Sequence, residues 1–237
     1  MRAFALSLAL VSLAGCKSGS QSSPAGVATY LVHRRTGPIA LDGLLTEAAW
    51  DKAEKAMLVR SIDGRPAAWA TEARLLWDDE KLYVGFLAQD KNISTPFKKD
   101  DEPLYTSNVV EIFLNPKGDL ARYFEIEVSP ANVLFDCSFT GRRQGADLAW
   151  SSRTQHAVHL DGTLNDSSDV DRGWSAELAI PFAALDGARP KAGDEWRFNL
   201  FRLLQGSGQP NEGQAYSAPL VGDFHAVNRF AVLKFAE

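Results

Sequence analysis

The chain has 237 residues, with 25 basic and 30 acidic side chains and a net charge of −5 when histidines are neutral. That mild acidity argues against a nucleic-acid partner, whose phosphates call for a basic face. There are two cysteines, and one of them, Cys16, closes the N-terminal apolar run. Only Cys137 then remains for the domain that follows, so no internal disulfide is available and the core must hold itself.

In chain order, Met1-Arg2 is a short basic start, and the uncharged run from Ala3 to Leu13 is too short to cross a bilayer. Residues 1–15 therefore read as a signal segment. The stretch Leu13-Ala14-Gly15-Cys16 resembles the lipobox of bacterial lipoproteins, in which the signal is cut before the cysteine and the cysteine is acylated. The resemblance implies an extracytoplasmic protein of the bacterial cell envelope, held at an outer membrane or cell surface through Cys16. Residues 16–29, rich in Ser, Gly, Gln and Pro, read as a flexible tether. Removing the signal takes Arg2 with it and leaves 24 basic against 30 acidic side chains. Residues 30–237 show no second low-complexity break and suit one domain with a sizeable core.

Apolar residues in that domain come in short runs bounded by Gly, Pro, Asn and Asp, the spacing of strands rather than helices. The runs predict strands at 73–77, 82–89, 109–114, 123–128, 133–140, 154–159, 174–180, 196–204 and 229–235. Only 46–55, with Thr46 as N-cap, reads as helical. The fold class that follows is all-β: a two-sheet antiparallel β-sandwich with one short helix.

Chemistry-bearing residues are sparse. His33, His156, His159 and His225 form no zinc-binding spacing, so no metal site is assigned, and neither a nucleophile elbow nor a phosphate-binding loop is present. Cys137, inside an apolar strand, reads as a core residue. Glu111 interrupts the buried run Val109-Val110-Glu111-Ile112-Phe113-Leu114, where an unpaired carboxylate costs several kcal/mol and needs a partner, a ligand or a wet groove. The next strand alternates: Phe124, Ile126 and Val128 on one face, Tyr123, Glu125 and Glu127 on the other. Tyr105 and Phe224 sit in polar loops just before strands, where a ring has no evident core role.

Several motifs then fall in a telling order: Ile39-Ala40-Leu41-Asp42-Gly43 with Glu47 and Trp50; Leu75-Leu76-Trp77-Asp78-Asp79 with Leu82-Tyr83-Val84; Val110-Glu111-Ile112-Phe113; Trp174 with Glu177 and Ile180-Pro181-Phe182; Trp196-Arg197-Phe198-Asn199; and Phe224-His225 with Phe230. Together they resemble a carbohydrate-binding module of family 9, in the DOMON-like superfamily, over nearly the whole domain. The resemblance implies a sandwich that clamps a sugar between two loop aromatics, here Tyr105 and Phe224, with Glu111 as the carboxylate that grips hydroxyls and His225 beside the ring. The family's Arg and Asn on the next strand fall on Glu125 and Glu127, and its Gln falls near Phe201. Arg202 is the candidate cation for Glu111 or Glu125. No cofactor is expected beyond a structural calcium ion, for which Asp90, Asp100, Asp101 and Asp119 are candidate ligands.

The expected function is thus non-catalytic binding of a mono- or oligosaccharide by a lipid-anchored module, in support of xylan or cellulose breakdown. Two alternatives stand beside it. One is glycoside hydrolysis by Glu111, Glu125 and Glu127. The other is haem binding of the DOMON type through Met57, which the pattern places near the end of the helical segment.

Overall fold

A computed structural model describes residues 26–206 and 208–237. The signal segment, Cys16 and most of the tether lie outside the described residues. Thirteen strands are found among those described: β1 (Thr29–Arg34), β2 (Ala56–Met57), β3 (Val59–Arg60), β4 (Thr71–Trp77), β5 (Lys81–Gln89), β6 (Val109–Asn115), β7 (Tyr123–Val128), β8 (Leu134–Phe139), β9 (Gln155–Asp161), β10 (Gly173–Pro181), β11 (Glu195–Leu204), β12 (Glu212–Ala215) and β13 (Ala231–Phe235). All nine expected strands are present, with ends moved by two residues at most. The strands not foreseen are β1, the two-residue β2 and β3, and β12, whose Glu-Gly-Gln-Ala sequence carries no β-branched or aromatic residue.

One sheet runs β8-β7-β6-β11-β13-β1 and the other β1-β4-β5-β10-β9, so β1 belongs to both and the sheet curls around it. Thr29 to Val32 pair with β13, and His33 and Arg34 pair with β4. Both pairings are parallel and the other ladders are antiparallel, so the expected two-sheet sandwich is found with parallel pairing at β1 alone among the described strands. The helical expectation at 46–55 also changes. The segment Ala48–Lys52 is a single 3-10 turn whose N-cap is Glu47, with no side-chain cap bond. Met57 lies on β2, half exposed, opposite Glu72.

The main core fills the space between the sheets. Val110, Ile112, Leu114, Phe124, Ile126, Val128, Phe198 and Leu200 meet Leu75, Trp77, Val84, Phe86, Trp174 and Leu178 there. Both outer faces are also covered, which explains why β6 is apolar nearly throughout rather than alternating. On the second sheet, Leu45, Trp50, Leu76, Tyr83 and Ala179 form an outer cluster. It is closed by buried Glu177, whose carboxylate accepts hydrogen bonds from the backbone N–H of Asp42 and Gly43 and from Trp50 Nε1 at 2.8–3.0 Å. This network accounts physically for the Asp42-Gly43, Trp50 and Glu177 positions of the motif series. Gly43 has φ +83°, and a Cβ there would come 2.6 Å from the backbone N of His159.

Candidate functional site

The outer face of the first sheet carries the site. Alternation along β6 sends Val109, Glu111 and Phe113 outward while Val110 and Ile112 enter the core, and along β7 it sends out Tyr123, Glu125 and Glu127. Glu111 stands directly across the ladder from Glu127, and Phe113 from Glu125. Oxygens of the three carboxyl groups lie within 4.8 Å of one another. All three residues are buried.

Few protein groups answer those charges. The Glu127 oxygens have no N–H or O–H donor among the described residues, which leaves a proton shared with Glu125 as the contact open to it. Burial pushes the Glu111 and Glu127 carboxyls well above the usual carboxylate range, and the neighbouring carboxyl groups push the same way. Glu125 is pushed up to about 7 by burial, with its Glu127 contact and the nearby Arg143 charge pulling partly against it.

Over this acidic floor opens a cleft of about 920 Å³. Tyr105, Glu111, Glu125, Phe224 and His225 all line it, so the structure brings five of the expected site residues to one place. Glu127 lies within carboxylate reach of Glu111 and Glu125. Tyr105 is half exposed and packs edge-on to Phe135 with ring centroids 5.4 Å apart. Phe224 stacks nearly parallel on Phe201 at 4.3 Å, which fixes its ring as a flat platform. His225 is buried, and its Nδ1 lies 2.6 Å from the Tyr123 hydroxyl. That hydroxyl also accepts from the Arg143 backbone N–H, so it joins the His225 ring to the loop after β8. Burial, helped by Arg143, pushes His225 down to about 4 and keeps the ring neutral.

Arg202 is not in the cleft. Register places it with Val110 on the core face, whereas its neighbour Phe201 faces Glu111. Its guanidinium donates to Thr71 Oγ1, to the Gln89 carbonyl and to Asp90 Oδ2 at 2.7–3.1 Å, tying the two sheets together at one end of the sandwich. The expected pairing with Glu111 or Glu125 is thereby replaced by a buried pair with Asp90. The candidate calcium ligands are not brought together either. Asp90 serves Arg202, Asp100 accepts from the Leu134 N–H, Asp119 from Asn115 Nδ2 and the Ala121 N–H, and Asp101 donates its backbone N–H to the Leu134 carbonyl.

Residues not foreseen complete the cleft. Phe135, Cys137 and Phe139 share one face of β8, and their period-two spacing was visible in the sequence. Arg143 lines one wall, and Asp223 binds both Arg142 and Arg143, joining the loop after β8 to the Phe224 loop. Gly213 admits Phe224, whose ring would stand 3.0 Å from a Cβ there. Cys137 is buried, and its thiol is pushed up to about 11, first by burial, so it is no nucleophile.

The three carboxyl groups stand together on one floor, on the same face of the neighbouring strands β6 and β7. Fold and site together define a β-sandwich that presents a cleft for binding, with aromatic walls and an acidic base. The chain belongs to the carbohydrate family 9 binding domain-like family, whose profile matches residues 41–213. The family is one of non-catalytic binding modules. "Exoglucanase XynX" of Acetivibrio thermocellus is 27% identical over 166 residues, covering 69% of this chain and 13% of its own length, so the chain spans about an eighth of that relative. Among solved structures, a Bacteroides uniformis ATCC 8492 protein superposes with a TM-score of 0.73 at 16% identity, covering 89% of this chain and 100% of its own. A family 9 module of Caldicellulosiruptor kristjanssonii in complex with cellotriose gives 0.61 at 18% identity, covering 87% of this chain and 93% of its own. At those identities the structural likeness establishes the fold.

Proposed function

We propose that this chain is a carbohydrate-binding module that holds a sugar in the cleft between Tyr105 and Phe224, with Glu111 and Glu125 taking its hydroxyls. The observation that carries the reading is the convergence of exposed ring surface and carboxylates in one opening of sugar-sized volume. Sugars present C–H faces that stack on rings and hydroxyls that need acceptors, and a cleft needs both kinds of wall to hold one. The Caldicellulosiruptor kristjanssonii module, solved with cellotriose and with glucose, supports a glucan-type ligand. The likeness to an exoglucanase supports a role in cellulose or xylan breakdown. The lipobox-like Leu13-Ala14-Gly15-Cys16 supports display on a bacterial envelope through acylated Cys16, with residues 16–29 as the tether.

The test is calorimetric titration of glucose, cellotriose and xylotriose into the domain. Binding of at least one is expected, weakened about tenfold, or about 1.4 kcal/mol, in each of Tyr105→Ala and Phe224→Ala. Absence of heat with every sugar, or unchanged affinity in both variants, overturns the reading.

A further inference from the structure

Three carboxyl groups crowded at the floor of a cleft can ionise together only with positive charge beside them, and the protein supplies little. Arg202 is spent on Asp90 across the sheet. Two arginines line the cleft wall, and both are held by acidic partners: Arg143 by Asp223 through Nε at 3.0 Å and Nη2 at 2.8 Å, and Arg60 by Asp63 at 3.4 Å and Glu212 at 3.7 Å. Glu127 is fully buried, no cation or N–H group among the described residues reaches its oxygens, and its carboxyl group lies beside the two that line the opening. A neutral sugar hydroxyl can donate a hydrogen bond to such a floor but brings no charge to balance it.

We propose that the sugar held in this cleft is an amino sugar, its ring ammonium seated over Glu111 and Glu125 with Glu127 behind them. The inference rests on the carbohydrate-binding reading and names the ligand class of that same site. An ammonium has three N–H donors and forms charge-assisted bonds to carboxylates at about 2.7–2.9 Å, roughly twice as strong as neutral ones. The surroundings favour an organic cation over a metal ion. The cross-strand neighbours of the three carboxylates on β11 and β8 are Phe201 opposite Glu111, Cys137 opposite Glu125 and Phe135 opposite Glu127. A calcium ion takes six to eight oxygen ligands, and these residues offer none from their side chains. The same rings, with Tyr105 and Phe224 above, suit the C–H faces of a pyranose.

The experiment is calorimetric titration of D-glucosamine, N-acetyl-D-glucosamine and D-glucose into the wild-type domain at pH 7, each with and without calcium chloride. Glucosamine is expected to bind at least tenfold more tightly than glucose, and acetylation, which removes the charge, is expected to abolish that preference. Glu127→Gln, checked for folding by its melting curve, is expected to shrink the preference severalfold. Glucose binding as tightly as glucosamine overturns the amino-sugar inference and leaves the carbohydrate reading standing. Calcium-dependent binding of glucose without a glucosamine preference also overturns it and gives the carboxylates to a metal. Silence from all three sugars here and from cellotriose and xylotriose removes both readings.

Discussion

Arg202→Met is expected to lower the stability of the domain by about 3–5 kcal/mol, a fall in Tm of roughly 6–20 °C for a domain of this size. The reason is the charge left behind. Arg202 and Asp90 are both fully buried, and Asp90 Oδ2 also accepts from Asn108 Nδ2. Burial already pulls the Arg202 guanidinium down to about 10, with Asp90 opposing that pull. Removing the arginine leaves the Asp90 side chain between the sheets without its cation, so the double change Arg202→Met with Asp90→Asn is expected to recover more than half of the loss. Thermal denaturation of the three proteins checks this; a single variant as stable as the wild type would contradict it. Sugar affinity is expected to be unchanged, since neither residue lines the cleft.

The acidic floor sets the second large effect, and its sign is unusual. A carboxyl group whose folded pKa lies above its unfolded one keeps its proton longer when folded. Its stabilising contribution is full below the unfolded pKa of 4.5 and is lost as pH rises through the folded value, about 7 for Glu125. Glu111 and Glu127, also raised, shift the balance the same way. His225 works in the opposite direction: held down to about 4, it stays neutral while the unfolded chain takes up a proton, so its contribution is complete only above 6.5. Stability is therefore expected to fall between pH 6.5 and 8, where the carboxyl groups outweigh the last of the histidine's gain, which is nearly complete by about pH 7.5. Glu125→Gln, which cannot ionise, is expected to exceed the wild type by about 3 kcal/mol at pH 8, or roughly 6–12 °C in Tm, with the gap closing toward pH 4. Melting curves across that range decide it, and superimposable pH profiles would contradict the account.

Much of the fold was legible in residue spacing. The runs that became β4 to β11 and β13 carry β-branched and aromatic residues between turn formers, and the alternation in Tyr123-Phe124-Glu125-Ile126-Glu127-Val128 places each side chain on the face the structure shows. The strands β2, β3 and β12 were not legible because they are short and owe their conformation to partners distant in sequence: β3 and β12 pair with each other, and β2 with β4. The parallel pairings of β1 are likewise set by the curl of the sheet rather than by its own residues.

The site was half legible. Tyr105 and Phe224 stood out as rings without a core role, and Glu111 as a charge in an apolar strand. Arg202 was misplaced for an instructive reason. Its parity on β11, shared with Phe198 and Leu200, points it into the core, a direction that an arginine takes only with a buried partner such as Asp90, 112 residues away in sequence. Arg143 and Asp223, which join two walls of the cleft, are 80 residues apart and have no local signature.

The central claim is that the cleft over β6 and β7 is where a sugar binds. Backbone amide NMR during titration of the isotope-labelled domain with cellotriose or D-glucosamine tests it most directly. Shifts are predicted to concentrate at Tyr105, Glu111, Glu125, Phe135, Gly213, Phe224 and His225. Shifts confined to the opposite sheet, around Met57, His159 and Trp174, would place the ligand elsewhere and contradict the account.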